Sequence, residues 1–319
     1  MSQIRFRSGY AKYSDLAMLL AYVGDSDPFD PPTKLIVLDD ATSTPAWGLQ
    51  NLDDVVVDVC TFRSGTMDRP AFVCVSEEGK VWFHQKESVI EDIPDAGLCK
   101  PTSRKLGYLG GIRQLGSELY AFGYAGQIYR RSAPGRWEPV DRGIIGVPGD
   151  HYDVADLCLS GNTLYAVTKL GDRGRIYSRT GDRWIPEDNP SGAWLNAIAA
   201  DQDGTLWICG RNGTLLKGNA ATGFSRVGAA GCTEEFLSVA LFGGTLWLSS
   251  ATSLYTWSSD RLCRVDTGIS PDLRSANRLQ VADGVLWSFG YDDVLRYDGE
   301  RWTRLICPGT EPFPAKGSQ

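Results

Sequence analysis

The chain predicts an all-β fold, a single β-propeller of seven four-stranded blades, with six blades as the alternative count. Three observations carry that expectation. The phrase Glu118-Leu119-Tyr120 returns as Thr163-Leu164-Tyr165, Thr205-Leu206-Trp207, Thr245-Leu246-Trp247 and Val285-Leu286-Trp287, its leucines 45, 42, 40 and 40 residues apart. A period of about 40 to 45 residues built from short strands is that of propeller blades. Each copy also splits into β-forming segments separated by Gly, Asn and Asp, and the steps from the phrase to the next strand and on to an outer aromatic repeat from copy to copy.

Taken in order, the first blade is irregular and occupies residues 1–50. Leu16 to Val23, Lys34 to Asp39 and Trp47 to Leu49 supply three strands, and the turn from Gly24 to Thr33 is long and proline-rich. Ile4 to Arg7 either adds to the last sheet or forms the inner strand of this one. Counting this copy gives seven blades over residues 1–306; rejecting it gives six and an N-terminal extension. Seven is preferred because a closed ring removes exposed strand edges. Regular blades fill residues 51–306. The first of these uses Val55 to Cys60 as its inner strand, followed by segments around Phe72, Val81 and Ile90.

In the next blade Leu119, Ile128 and Trp137 are separated by 9 and 9 residues. Leu164, Ile176 and Trp184 keep the order with a longer turn at Leu170 to Gly174. The following copy is the clearest. Leu195 to Ala200 is small and apolar, as an innermost strand beside a crowded axis should be, and Gly204 to Gly210 is a β-forming run bounded by glycines. Arg211-Asn212-Gly213 tolerates positive φ, Thr214 to Gly218 is the hairpin partner, and Phe224 to Val227 is the outer strand. Leu246, Leu254 and Leu262 form the sixth blade, and Leu286, Leu295 and Trp302, with steps of 9 and 7, form the last.

At 319 residues, with 42% hydrophobic and 22% charged residues and no linker, the chain reads as one domain. The segment 307–319, with Pro308, Pro312 and Pro314, reads as a flexible tail. Leu16 to Val23 is far short of the roughly 20 residues a helix needs to cross a bilayer, so no membrane contact is expected. Tyr10 to Asp15 interrupts any secretory pattern, which points to the cytoplasm. Of the 8 cysteines, Cys60, Cys74, Cys158 and Cys209 lie in strand patterns where a reduced thiol packs as a small apolar group.

The net charge of −7 argues against nucleic acid and suits a basic protein partner. Arg130, Arg131 and Arg136 form the most basic group and read as a solvated outer hairpin. Catalytic signatures are missing. His84 and His151 are too few for a histidine-rich metal site, and no C-x-x-C pair, phosphate loop or nucleophile elbow occurs, so neither metal nor cofactor is expected. Asp201-Gln202-Asp203 fails as a calcium loop, because Leu206 stands where glycine is required and Asn212 where glutamate is. The aromatics of the repeated phrase read as packing between blades.

Binding residues are expected in the loops joining second to third strands and in those joining successive blades, which gather on one face. Tyrosine, tryptophan and arginine dominate interfaces. The first loop set offers Tyr124, Arg173, Arg211, Tyr291 and Asp292. The second offers Tyr152 and Asp153, Trp194, Glu234 and Glu235, and Arg274 with Arg278.

Gly204-Thr205-Leu206-Trp207 followed by Gly213-Thr214-Leu215-Leu216-Lys217 resembles repeats of the broad kelch, BNR-repeat and photosystem-assembly-factor-like propeller superfamily. The full Ser-x-Asp-x-Gly-x-x-Trp box is incomplete, since Ala200 and Gln202 stand at its serine and aspartate positions. Regular Trp-Asp endings are also missing. A compact acidic bacterial propeller without a catalytic set is similar in kind to stand-alone binding modules, including cytosolic immunity proteins that neutralise secreted toxins. The resemblance thus implies a monomeric, non-catalytic protein-binding propeller. The alternative is an enzyme or carbohydrate-binding propeller, with Asp153, Asn196, Arg278 and Tyr291 converging at the mouth of the central channel.

Overall fold

The computed structural model describes residues 4–23, 32–41, 46–65, 69–145, 152–228, 231–308 and 310. These form seven four-stranded sheets, each an antiparallel meander in chain order. The first holds β1 (Ile4–Ala11), β2 (Leu16–Val23), β3 (Thr33–Asp39) and β4 (Ala46–Leu52); the second holds β5 (Val56–Phe62), β6 (Ala71–Ser76), β7 (Lys80–His84) and β8 (Val89–Asp92). In the third are β9 (Leu109–Leu115), β10 (Glu118–Gly123), β11 (Ile128–Ala133) and β12 (Arg136–Pro139), and in the fourth β13 (Asp153–Ser160), β14 (Thr163–Lys169), β15 (Ile176–Thr180) and β16 (Arg183–Glu187). The fifth comprises β17 (Leu195–Ala200), β18 (Leu206–Gly210), β19 (Leu215–Asn219) and β20 (Gly223–Val227). β21 (Ser238–Phe242), β22 (Thr245–Ser249), β23 (Leu254–Ser258) and β24 (Arg261–Arg264) make the sixth, and β25 (Arg278–Ala282), β26 (Val285–Phe289), β27 (Val294–Tyr297) and β28 (Trp302–Arg304) the seventh. The fold is a seven-bladed β-propeller.

The open question about Ile4 to Arg7 is answered by register: β1 pairs with β2 from Ile4↔Val23 to Ala11↔Ala17, so it is the inner strand of the first sheet. Most of the proline-rich turn after Val23, His151 and most of the tail expected at 307–319 lie outside the described residues.

The chain divides into two compact units, Val57–Val239 and Met1–Val56 with Ala240–Gln319. Within the first, Tyr120 and Phe122 of the third sheet meet Leu157, Tyr177 and Trp184 of the fourth. Tyr165 and Val167 of the fourth meet Leu195, Ile198 and Leu216 of the fifth. In the second unit, Trp247 packs against Leu279 and Leu286, while Trp287 and Phe289 of the last sheet pack on Leu19 and Ile36 of the first. A sheet with two apolar faces must bury both, and a neighbouring sheet supplies the cover. Four of the repeated aromatics, Tyr120, Tyr165, Trp247 and Trp287, are buried and are therefore construction, while Trp207 is half-buried with the Lys217 ammonium 5.1 Å from its ring centre.

Several inner strands carry a one-residue irregularity near their start. Pairing skips between Phe6 and Ser8, between Val154 and Asp156 and between Leu195 and Ala197. A bulge re-aims the extra side chain. Bulged Arg7 donates from Nη1 to the carbonyl of Val56 at 3.2 Å, and bulged Asn196 donates from Nδ2 to the carbonyl of Phe236 at 2.9 Å. In both places the extra residue reaches to the chain entering the next inner strand.

Candidate functional site

Within Val57–Val239, the loops that follow each second strand are tied by backbone hydrogen bonds to the segments that precede inner strands. Leu109 N–H donates to Glu77 O at 2.9 Å, Tyr124 N–H to Tyr108 O at 3.0 Å, and Trp194 N–H to Asp172 O at 3.1 Å. Arg211 N–H then donates to Trp194 O at 3.0 Å, Gly213 N–H to Glu234 O at 2.7 Å and Phe236 N–H to Gly210 O at 3.0 Å. Loops held this way present side chains from a rigid frame, which lowers the ordering cost of binding.

Five of the expected residues meet on this lattice. The Arg211 guanidinium lies 4.3 Å from the centre of the Trp194 ring, and the Lys169 ammonium 5.2 Å from it. Such cation–π contacts hold an aromatic in place at a partly wet surface. Glu235 accepts from Arg211 Nε at 3.3 Å and from Asn196 Nδ2 at 3.2 Å. Exposed Glu234 joins through its backbone, and exposed Arg173 through a backbone bridge to Ala193. A second grouping surrounds Asp153, which accepts from Ala125 N–H at 3.0 Å. Asp153 lines a cavity of about 350 Å³ with Lys105, Leu106, Gly107, Tyr124 and Ala125. Burial raises the Asp153 pKa, against the lowering effects of the Ala125 N–H and the Lys169 charge. Tyr124 is 51% exposed, whereas Tyr152 is buried with the Arg175 guanidinium 4.6 Å from its ring centre.

The other four lie in the second unit. Exposed Arg274 donates its N–H to Asp293 Oδ2 at 2.7 Å, and Asp292 N–H donates to Ser275 Oγ at 2.8 Å. Tyr291 is 48% exposed and its carbonyl accepts from Phe6 N–H at 2.9 Å. Arg278 donates to Ser8 Oγ at 3.1 Å and lies 5.2 Å from the Tyr10 ring centre. Among the residues considered for a channel site, Asp153, Asn196 and Arg278 are thus each bonded to protein groups in their own neighbourhood.

Sequence reasoning missed a chain of charge on the inner strands. Arg113 of β9 donates from Nη1 to Asp58 of β5 at 2.5 Å and from Nε to Asp156 of β13 at 3.1 Å. Asp58 also accepts from Ile112 N–H at 3.1 Å, and Asp156 from Ile198 N–H at 3.3 Å. Burial alone would lower the Arg113 pKa; Asp156 and Asp58 overcome it and hold the guanidinium firmly charged. The available signal was a lone charge in an apolar strand, as in Val55-Val56-Val57-Asp58-Val59-Cys60. Among the described residues no group of three or more His, Cys, Asp or Glu stands together as a metal site.

The arrangement defines a propeller with a preorganised loop surface, and comparison with known proteins agrees on the fold. No protein-family model matches the chain. It is 33% identical over 199 residues to "Immune protein Tsi7" of Pseudomonas aeruginosa, a match spanning 62% of this chain and 64% of that protein, less than two thirds of its length. Among solved structures, YCF48 bound to a D1 peptide superposes with a TM-score of 0.66 at 16% identity, over 93% of this chain and 92% of that one. The WD40 propeller domain of Doa1 gives 0.65 at 10%, over 93% of each chain, and virginiamycin B lyase from Staphylococcus aureus 0.63 at 11%, over 80% and 85%. At such identities these structures speak to the fold alone.

Proposed function

We propose that this chain is a bacterial immunity protein that binds a toxin protein through the loop surface around Trp194 and blocks it by occupancy, without catalysis. The observation that carries this reading is the 33% identity with Immune protein Tsi7. The geometry is consistent with it. Trp194 and Arg211 are residue types that dominate interfaces, and both are fixed in place before any partner arrives. Arg173, Glu234 and Glu235 add charged groups on the same backbone lattice. The reading also has the protein act as a cytoplasmic monomer on a basic partner, in keeping with its net charge of −7.

Co-expression tests the proposal. Each secreted toxin of the source bacterium is produced in a host with or without this protein, and growth is scored together with co-purification. One toxin should be neutralised and recovered as a stable complex, and Trp194→Ala should weaken that complex about 30-fold or more, as loss of a central aromatic anchor does. Absence of rescue by the unaltered chain against every toxin overturns the proposal.

A further inference from the structure

At the opposite end of the strands from Trp194, three neighbouring turns line an open cavity of about 350 Å³. They are the β9–β10 turn with Gly116 and Ser117, the β13–β14 turn with Gly161 and Asn162, and the β15–β16 turn at Gly181. Half-buried Leu115, Leu159 and Leu164 give it apolar walls. Arg179 lines it too, and Arg179 Nε is buried with no protein acceptor.

Glu118 also lines the cavity, and it and the neighbouring Asp182 are already committed to other arginines. Glu118 accepts from Arg130 Nη1 at 3.0 Å through one oxygen and from the Tyr120 hydroxyl at 2.5 Å through the other. Asp182 accepts from Arg142 Nη1 at 2.6 Å. Among the described residues no carboxylate pairs with Arg179. A guanidinium offers five donors in a planar fork that matches a carboxylate. The volume lies at the lower end of small-molecule sites, about 300 to 1,000 Å³.

We infer that this cavity is a binding site for a small organic carboxylate with an apolar body, its carboxylate on Arg179 and its body against Leu115, Leu159 and Leu164. The site is independent of the loop surface assigned to the toxin.

The test uses 3-phenylpropionate, its neutral analogue 3-phenylpropionamide, and the capped peptide acetyl-Ala-Glu-Ala-amide, titrated into the full chain by amide NMR. Phenylpropionate should shift the Gly116, Gly161 and Gly181 amides. The neutral analogue should bind at least tenfold more weakly, and so should phenylpropionate with Arg179→Gln, while Arg136→Gln leaves binding unchanged. Comparison of acid with amide on the unaltered protein holds even if Arg179→Gln does not fold. Equal binding of acid and amide, or no movement of the three glycines, overturns the inference. Tighter binding of the glutamyl peptide than of phenylpropionate overturns it as well, by assigning Arg179 to a protein side chain.

Discussion

Glu91 shows how single residues in this chain are placed by charge as much as by pattern. Its side chain is buried, and it accepts from Arg131 through both oxygens, at 2.8 and 2.5 Å, and from Trp137 Nε1 at 3.0 Å. Arg131 in turn lies 4.7 Å from the Phe83 ring centre, and Arg130 is bonded to Glu118 and Glu138. Two of the three arginines that looked like a basic patch are therefore neutralised within the sheets. Burial pushes the Glu91 pKa up, but hydrogen bonds from Arg131, Gly135 and Trp137 and the Arg131 charge bring it below the ordinary value. A carboxyl group with a lowered folded pKa adds stability above its unfolded pKa and loses it as pH falls through the folded one. Glu91→Gln should thus cost about 3 kcal/mol at pH 7, as breaking a buried pair does, and progressively less below about pH 4. Urea midpoints of the two proteins at pH 7 and pH 3.5 check this; a gap that does not narrow at low pH counts against it.

Elements were read from the sequence more readily than their contacts, and the glycines that end second strands show why. Phe122-Gly123-Tyr124, Cys209-Gly210-Arg211 and Phe289-Gly290-Tyr291 occupy one repeat position. A Cβ at Gly123 would stand 2.4 Å from Tyr108 O, at Gly210 2.0 Å from Trp194 O and at Gly290 2.2 Å from Ser275 O. Glycine there answers to space, because the second strand leaves the sheet across the backbone that enters the inner strand. The residue after it is then displayed by the loop, which is how Tyr124, Arg211 and Tyr291 could be picked out from the chain. Which residues they meet could not be read, although Glu235 and Asn196 were themselves named: Lys169 reaches Trp194, and Glu235 joins Arg211 to Asn196, through loop packing and a bulge that leave no mark in local composition. Gly210→Ala should displace the Trp194 carbonyl and cost about 1–3 kcal/mol, as overpacking does. Gly48→Ala, whose nearest neighbour would be 3.9 Å away, serves as the near-neutral control. Equal urea midpoints for the two variants would refute the steric account.

At the scale of the molecule, the joining of the last sheet to the first was the least legible part. A segment such as Ile4-Arg5-Phe6-Arg7 suits an antiparallel edge in either sheet, and nothing local chooses between them. The choice is made by contacts spanning most of the chain. Gln280 of β25 accepts from Ala11 N–H at 2.7 Å and donates to Ala11 O at 2.7 Å, so a side chain satisfies the end of β1. Arg296 adds an ion pair to Asp40 at 2.5 Å, and Trp287 and Phe289 pack against Leu19. Among the described residues the two sheets share no backbone ladder, so these side chains carry the seam together with the bond from Phe6 N–H to Tyr291 O. Gln280→Ala leaves a buried N–H and a carbonyl unpaired and should cost about 2–3 kcal/mol. The cost should appear first as local opening, because the seam releases β1 without dissolving the other sheets. Hydrogen exchange should therefore rise in Ile4–Ala11 well before it rises in Leu195–Ala200. Uniform acceleration across both strands would mean that the seam opens only with global unfolding.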